Sequence, residues 1–397
     1  MVPAKTSTFA SIKVRNFRLY FIGQAISSSG TWMATLALGW LVLDVTGSAA
    51  QLGLVTAYQY LPLLLFGAFS GVIVDHFNKR TILFITQGLQ GAIAGVLGWL
   101  VVSRNDSLLA ISLSALGLGV VSLVDNPARQ SFVQEMVGAE LIVNAVSLNS
   151  ALISAGRVVG PATAALLITY LGLAGCFFVN AVSFMAVIVA LSLMDGEKLT
   201  QVEGVGRVRG QLLSGLRYAR ETPTVATLLI GTALVGTLAY NFTVTLPLLV
   251  RVSLHSGSAG EYGWLMAMVG VGATIGGLST ARSRPTKKRV AIAAGGFGMF
   301  MVALAGAPNL MVALIVGVPM GFFSISLIAS ANSLIQTSTS MEFRGRVMSL
   351  YSLAFLGTTL VGAIVVSMVA TWYGPRAALA VGAMAALVTG AFIYQRR

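Results

Sequence analysis

The stretch Gly71-Val72-Ile73-Val74-Asp75-His76-Phe77-Asn78-Lys79-Arg80-Thr81-Ile82-Leu83 is a polar knot between two apolar runs, residues 50–73 and 81–102. Each run has about the 20 residues that an α-helix needs to cross the hydrocarbon core of a bilayer. Two spanning helices joined by a tight basic turn follow, and the Lys and Arg place that turn on the cytoplasmic side. The knot has its own physical logic. Gly71 lets two helices approach closely. Asp75 is an acceptor at a helix end, placed to meet the positive N-terminus of another helix. Lys79 and Arg80 add pairing partners, and Asn78 tolerates a left-handed turn.

The rest of the chain repeats this pattern. Of 397 residues, 56% are hydrophobic and 9% are charged, against about 25% charged in soluble domains. The mean hydropathy is +0.86. A soluble protein and a disordered one are both excluded, and continuous apolar runs exclude a membrane β-barrel. Twelve candidate spans appear: 17–43, 50–73, 81–102, 107–125, 142–169, 173–194, 224–250, 259–281, 290–307, 309–330, 346–370 and 375–394. They are numbered span 1 to span 12 below. Spans 9 and 10 are separated only by Ala307-Pro308-Asn309, so a tight hairpin is expected there. The expected fold is an all-α polytopic membrane protein with twelve transmembrane helices.

The net charge of +13 would suggest nucleic acid in a soluble protein. Here the basic residues sort by side. With the N-terminus inside, 21 of the 25 Lys and Arg fall in inner segments. Arg104, Arg251 and Arg376 fall outside, and Arg157 lies within span 5. This bias predicts both termini in the cytoplasm, an even number of spans, and attraction to anionic lipid with no nucleic-acid partner. The run after Lys5, Lys13, Arg15 and Arg18 is too long for a signal-peptide core and is expected to be a retained first span. Cys176 is the single cysteine, so no intramolecular disulfide forms.

The longest polar stretch, Asp195 to Thr222, divides the spans six and six. Its later part, Gln211 to Glu221, carries Leu212, Leu213 and Leu216 on one side with Arg217 and Arg220 nearby, the pattern of an interfacial helix. Internal repeats support the halving. Gly47-Ser48-Ala49, Gly53 and Ala57 recur 210 residues later, from Gly257 to Ala267. Gln134, Glu140, Ser147-Leu148, Ser150 and Gly160 recur 202 residues later, from Gln336 to Gly362. The expected domains are a six-helix bundle at 1–194, a cytoplasmic linker at 195–222 and a second bundle at 223–397. Parallel six-helix halves with substrate bound between them are one transporter plan.

The loop from Gly71 to Leu83 resembles the cytoplasmic signature of the major facilitator superfamily, through Gly71, Asp75, Lys79, Arg80 and Leu83. It departs at His76 (Arg in the family), Asn78 (Gly) and Ile73 (Leu). Asp125-Asn126-Pro127-Ala128-Arg129-Gln130 at the end of span 4, Arg344-Gly345-Arg346 at the start of span 11 and Gly215-Leu216-Arg217-Tyr218 are similar to the branch that includes enterobactin and macrolide exporters. The resemblance implies a major facilitator fold of two pseudo-symmetric bundles. It also implies a cytoplasmic gate of Gly71, Asp75, Lys79, Arg80, Asp125, Arg129, Arg344 and Arg346. In that gate Asp75 and Asp125 would pair with basics such as Arg80 and Arg346; the alternative is solvated anchors.

Span 5 carries Gly156-Arg157-Val158-Val159-Gly160-Pro161. It resembles the family's antiporter motif, with Ala164 and Ala165 in place of the final glycine pair. Small residues permit close packing and Pro161 loosens the helix; the resemblance adds a bias towards export. Arg157 is the one charge well inside a span, where an Arg faces a cavity or a partner; a substrate or coupling role and a structural hydrogen-bonding role are both open. Further cavity candidates are Gln24, Ser28 and Trp32 in span 1, Tyr58 in span 2 and Asn149 in span 5. In the second half they are Thr237, Tyr240 and Asn241 in span 7, Phe323 in span 10 and Tyr351 in span 11. For each aromatic, core packing or a place in an interfacial belt is as open as a ligand contact.

No Asp or Glu stands at the middle of a span; Asp125, Asp44 and Glu261 are the plausible proton carriers. No phosphate-binding loop of the Walker type occurs. His76 and His255 lie far apart, which leaves metal chemistry unsupported, and no nucleophile–base pair stands out. The expected function is secondary active export of a small amphipathic molecule, a drug-like compound or a siderophore, by proton antiport. A nutrient importer of the same fold and a non-transporting scaffold are the alternatives. No enzyme activity, cofactor or metal is expected, and the chain is read as a monomer in the cell inner membrane.

Overall fold

A computed structural model describes residues 9–105, 107–200, 211–255, 258–281 and 283–395. Among these, the long elements are helices and no strand occurs. Eleven helical stretches are long and apolar enough to cross a membrane. One of them, Glu140–Ser192, turns at Gly172, whose φ of 67° is left-handed and suits glycine. It therefore counts as two, and the chain has twelve spans. A similar left-handed glycine, Gly138 (φ 70°), separates spans 4 and 5.

The spans follow the apolar runs and extend past them. Span 1 is Arg15–Thr46, span 2 Ala49–His76 and span 3 Lys79–Val102. Span 4 does not end at Asp125 but runs on to Gly138. Pro127 costs this helix one internal hydrogen bond. The added turns still hold because Phe132, Val133 and Met136 are buried against Phe17, Tyr20, Leu83 and Leu191. Spans 5 and 6 cover 140–171 and 173–192. The expected linker helix is present as Gln211–Glu221. Span 8 is Ala259–Ala281, span 9 Lys287–Ala305, span 10 Leu310–Ser338 and span 12 Pro375–Gln395. The hairpin between spans 9 and 10 closes on Asn309, whose side chain accepts a hydrogen bond from the Val312 N–H at 3.0 Å.

Two spans are not continuous helices. Span 7 runs from Pro223 to Leu238, breaks at Tyr240 and Asn241, and resumes as Phe242–Leu248 and a π-helical turn, Leu249–Ser253. Span 11 consists of Met341–Ser352, a π-helical turn at Leu353–Gly357 and Thr359–Tyr373. The break and the second π turn pack on each other. A Cβ at Gly236 would lie 2.8 Å from the Phe355 carbonyl oxygen, and one at Gly362 would lie 1.7 Å from that of Thr237.

By contact the chain forms two compact units. One comprises Met1–Ala37 with Leu65–Val205, the other Leu38–Leu64 with Gly206–Arg397. The end of span 1 and the start of span 2 thus group with the later spans, although the chain order places them in 1–194.

Candidate functional site

The polar knot is built around helix ends. Asn78 caps span 3, its side-chain oxygen accepting from the Thr81 N–H at 3.2 Å. Arg80 donates to the carbonyl oxygens of Leu191 (2.6 Å) and Met194 (3.2 Å) and so caps the negative end of span 6. Lys79 pairs with Glu135 at 3.2 Å, both nearly buried. The packing at Gly71 and the side chain of Asp75 lie outside what the structure describes.

Asp125 is 2% exposed. One carboxylate oxygen accepts from Thr86 Oγ1 at 2.6 Å and Gln87 Nε2 at 2.9 Å. The other accepts from Arg129 Nε one turn further on, and Arg129 Nη1 donates to Gln24 Oε1. The carboxylate therefore ties span 3 to span 4 and, through Arg129, to span 1. Its partner is Arg129 and not Arg80, because the Arg80 guanidinium is committed to the end of span 6. Arg346 is also engaged locally, donating to Ser214 Oγ at 3.2 Å and lying over the Phe343 ring at 4.9 Å. Arg344 Nε is buried with no hydrogen-bond partner among the described residues.

The glycines of span 5 form a groove for span 1. A Cβ at Gly156 would stand 2.5 Å from Ser28 Oγ, and one at Gly160 would stand 2.6 Å from Trp32 Cβ. Pro161 lacks the N–H that would have bonded the Arg157 carbonyl oxygen one turn back. The Arg157 guanidinium lies over the Trp32 ring at 5.2 Å. Arg157 is exposed, and so are Ser147, Ser150 and Ser154. These four recur at intervals of three, four and three, so they form one stripe along the helix. Asn149 is half-buried beside it. The linear reading has Ser147 and Ser150 only as repeat positions and does not join them with Ser154 and Arg157, although the spacing is visible there.

In the second unit, the candidates gather at the helix breaks. The Tyr240 ring stands 4.9 Å from Phe355 and 5.4 Å from Phe297 and Phe242, and its hydroxyl donates to the Ser324 carbonyl oxygen. Asn241 Nδ2 donates to the Thr237 carbonyl oxygen at 2.6 Å, while its buried Oδ1 has no partner among the described residues. Tyr351 stacks on Phe355, and its hydroxyl donates to the Ile328 carbonyl oxygen at 3.2 Å. Phe323 stacks on Phe300 at 5.6 Å. Tyr58 is exposed, with no resolved ring partner among these aromatics.

A further ion pair, between Asp44 and Arg251, was not anticipated. Asp44 Oδ1 accepts from Arg251 Nη1 at 2.7 Å. Arg251 also lies over Trp40 at 5.8 Å, and Trp40 stacks on buried Tyr262 at 6.3 Å. The cluster joins spans 1, 7 and 8 within the second unit. Both charges are partly exposed, so the pair is worth about 0.2–1 kcal/mol. Reversing either charge, as Asp44→Arg or Arg251→Asp, is expected to raise the labelling rate of a cysteine placed at buried Leu52 by two- to fivefold. The double reversal should restore the original rate. Unchanged labelling in both single variants would show that the pair does not hold this end shut.

Outside the membrane, Lys198 and the Glu197 N–H hold the Asp195 carboxyl below its ordinary range, and the Ser340 N–H does the same for the Tyr218 phenol. A cavity of about 590 Å³ lies along span 6, lined chiefly by Ile26, Met33, Val179, Val182 and Met185. Its apolar walls suit an acyl chain and not a polar-headed ligand. Among the described residues no group of three or more His, Cys, Asp or Glu is placed to hold a metal ion.

Residues 6–397 match the family model described as transmembrane secretion effector. The chain is 26% identical over 358 residues to the multidrug efflux pump Tap of Mycolicibacterium fortuitum, covering 85% of this chain and 86% of that protein. It is 24% identical over 388 residues to the enterobactin exporter EntS of Shigella boydii, covering 95% and 90%. Among solved structures, a bacterial homologue of the iron transporter ferroportin superposes with a TM-score of 0.76 at 17% identity, covering 96% of this chain and 98% of that one. That likeness concerns the fold. With twelve membrane-spanning helices and a family match over nearly its whole length, the chain belongs to the transmembrane secretion effector family of major facilitator transporters.

Proposed function

We propose that this protein exports a small amphipathic molecule from the cytoplasm by alternating access, driven by proton antiport. The observation that carries this reading is the exposed stripe of Ser147, Ser150, Ser154 and Arg157 along span 5. A row of polar groups ending in a guanidinium at mid-span is costly against lipid and is stable against a water-filled path. The efflux and siderophore roles named for the relatives Tap and EntS support export and an amphipathic cargo. In this reading the bundles 1–194 and 223–397 rock about the path, with the linker 195–222 and both termini in the cytoplasm. The inner gate draws on Gly71, Asp75, Lys79, Arg80, Asp125, Arg129, Arg344 and Arg346, and the Asp44–Arg251 pair closes the outer end. Asp125, Asp44 and Glu261 are the carboxylates available to the proton step.

The test uses purified protein in sealed vesicles with an imposed pH gradient. Lumenal pH is followed while lipophilic cations, macrolides and catecholate siderophores are added. A compound-dependent collapse of the gradient is expected. Compound flux without proton movement would remove the antiport, and absence of flux for compounds that bind would remove transport itself.

A further inference from the structure

A carboxylate only accepts hydrogen bonds, whereas a protonated carboxyl must also donate one. A carboxyl that changes state inside a membrane therefore needs neighbours that serve both forms. Asp44 is met by Arg251, which only donates and so serves the charged form alone. Glu261 stands in the first turn of span 8, where the helix N-terminus also favours the charged form.

Asp125 is placed differently. Its Oδ1 lies 2.6 Å from the Thr86 hydroxyl, and that hydroxyl also stands 3.3 Å from the Leu83 carbonyl oxygen one turn back. A hydroxyl has one proton and two lone pairs. Facing a charged Asp125, Thr86 donates to it. Facing a protonated Asp125, Thr86 turns its proton to Leu83 and accepts across the same gap. Gln87 is equally two-sided. Its Nε2 donates to Asp125 Oδ1 at 2.9 Å, while its buried Oε1 has no partner among the described residues. A half-turn of the amide presents that oxygen to a protonated Asp125. All three side chains are buried, so the protein itself must supply the acceptor.

Among the described residues, the charged and titratable groups facing Asp125 are Arg129 on its own helix and the buried Tyr20 of span 1. Span 3 presents Thr86 and Gln87, which do not titrate. The Arg129 guanidinium and a proton compete for one carboxylate. When the proton binds, Arg129 loses its ionic partner on span 4 and is left to its bond with Gln24 of span 1.

We infer that Asp125 is the carboxylate that carries the proton, and that Thr86 and Gln87 are positioning residues that serve both of its states. On uptake, a proton from water forms an O–H bond on Oδ1 and the negative charge is lost. On release, that bond breaks and the proton returns to water. The inference rests on the antiport of the export reading; the titration of Asp125 is tested without transport.

Infrared difference spectra of the full chain in nanodiscs, taken between neutral and acid buffer in light and heavy water, read the C=O stretch of a protonated carboxyl. Wild type is expected to gain such a band on acidification, shifted in heavy water, and Asp125→Asn to lose it. Thr86→Val and Gln87→Leu each remove an acceptor, so the band should move to higher frequency, furthest in the double variant. Thr86→Ser should leave it in place. In sealed vesicles, Asp125→Asn should abolish the compound-dependent collapse of the pH gradient while compounds still bind, which also reports that the variant is folded. A band that never appears in wild type, survives Asp125→Asn or stays unmoved in the double variant overturns the assignment, as does gradient collapse by Asp125→Asn. A titrating Asp125 in a wild type that binds compounds without collapsing the gradient upholds the proton site and removes the antiport reading.

Discussion

Asp125→Ala is expected to destabilise the folded protein by about 3–5 kcal/mol, the usual cost of removing one member of a buried ion pair. The reason lies in what the truncation leaves behind. Arg129 would keep its charge beside Gln24 with no carboxylate to meet it, and the donors on Thr86 and Gln87 would lose their acceptor. Each orphaned group is costly where neighbouring helices and lipid exclude water. The double variant Asp125→Ala/Arg129→Met removes both charges and should recover most of the loss, since apolar replacement of a whole buried pair is often neutral. Thermal unfolding in detergent, followed by tryptophan fluorescence, measures both. Equal stability of the single and double variants would mean that the pair is not the unit that matters. The double variant also separates structure from mechanism. If it is folded and exports at the wild-type rate, Asp125 and Arg129 hold the bundle together but do not belong to the inner gate.

The plan of twelve spans could be read from the chain because its signals are local. Apolar length, polar punctuation and the sidedness of Lys and Arg each reside in a few neighbouring residues. The linker helix Gln211–Glu221 was legible for the same reason. What the linear reading missed depends on tertiary contact. Nothing in Leu238-Ala239-Tyr240-Asn241 breaks a helix by itself; the break faces a π turn of span 11 across Gly236 and Gly362. Asp125 was expected to meet distant loop basics, yet Arg129 lies one turn away and Arg80 is held by the end of span 6. The Asp44–Arg251 pair bridges 207 residues of sequence, and no local pattern announces it. The serine stripe differs from these. Its three-four-three spacing is fully present in the sequence, and only its exposure marks it off from the many other serines of the spans.

Gly321→Ala is expected to cost about 3 kcal/mol, the upper part of the range for forcing atoms into a packed interior. In lipid there is little hydrophobic drive between helices, so their association depends on close approach at small residues. Spans 8 and 10 show how close. A Cβ at Gly321 would sit 1.9 Å from the Val269 carbonyl oxygen, and one at Gly272 would sit 1.8 Å from that of Val318. The obstacles are backbone atoms on both sides, so no side chain can rotate away, and the helices must separate along the seam that also includes Gly276 and Gly317. Gly272→Ala should therefore behave like Gly321→Ala. Combining them should cost less than the sum, because the first substitution has already opened the seam. The control is Gly295→Ala in span 9, where a Cβ meets nothing within 4 Å. There the gain in helix propensity should stabilise by about 0.5–1 kcal/mol. Opposite signs for Gly321 and Gly295 in the same unfolding assay are the expected result. A neutral Gly321→Ala would mean that spans 8 and 10 do not meet along this seam.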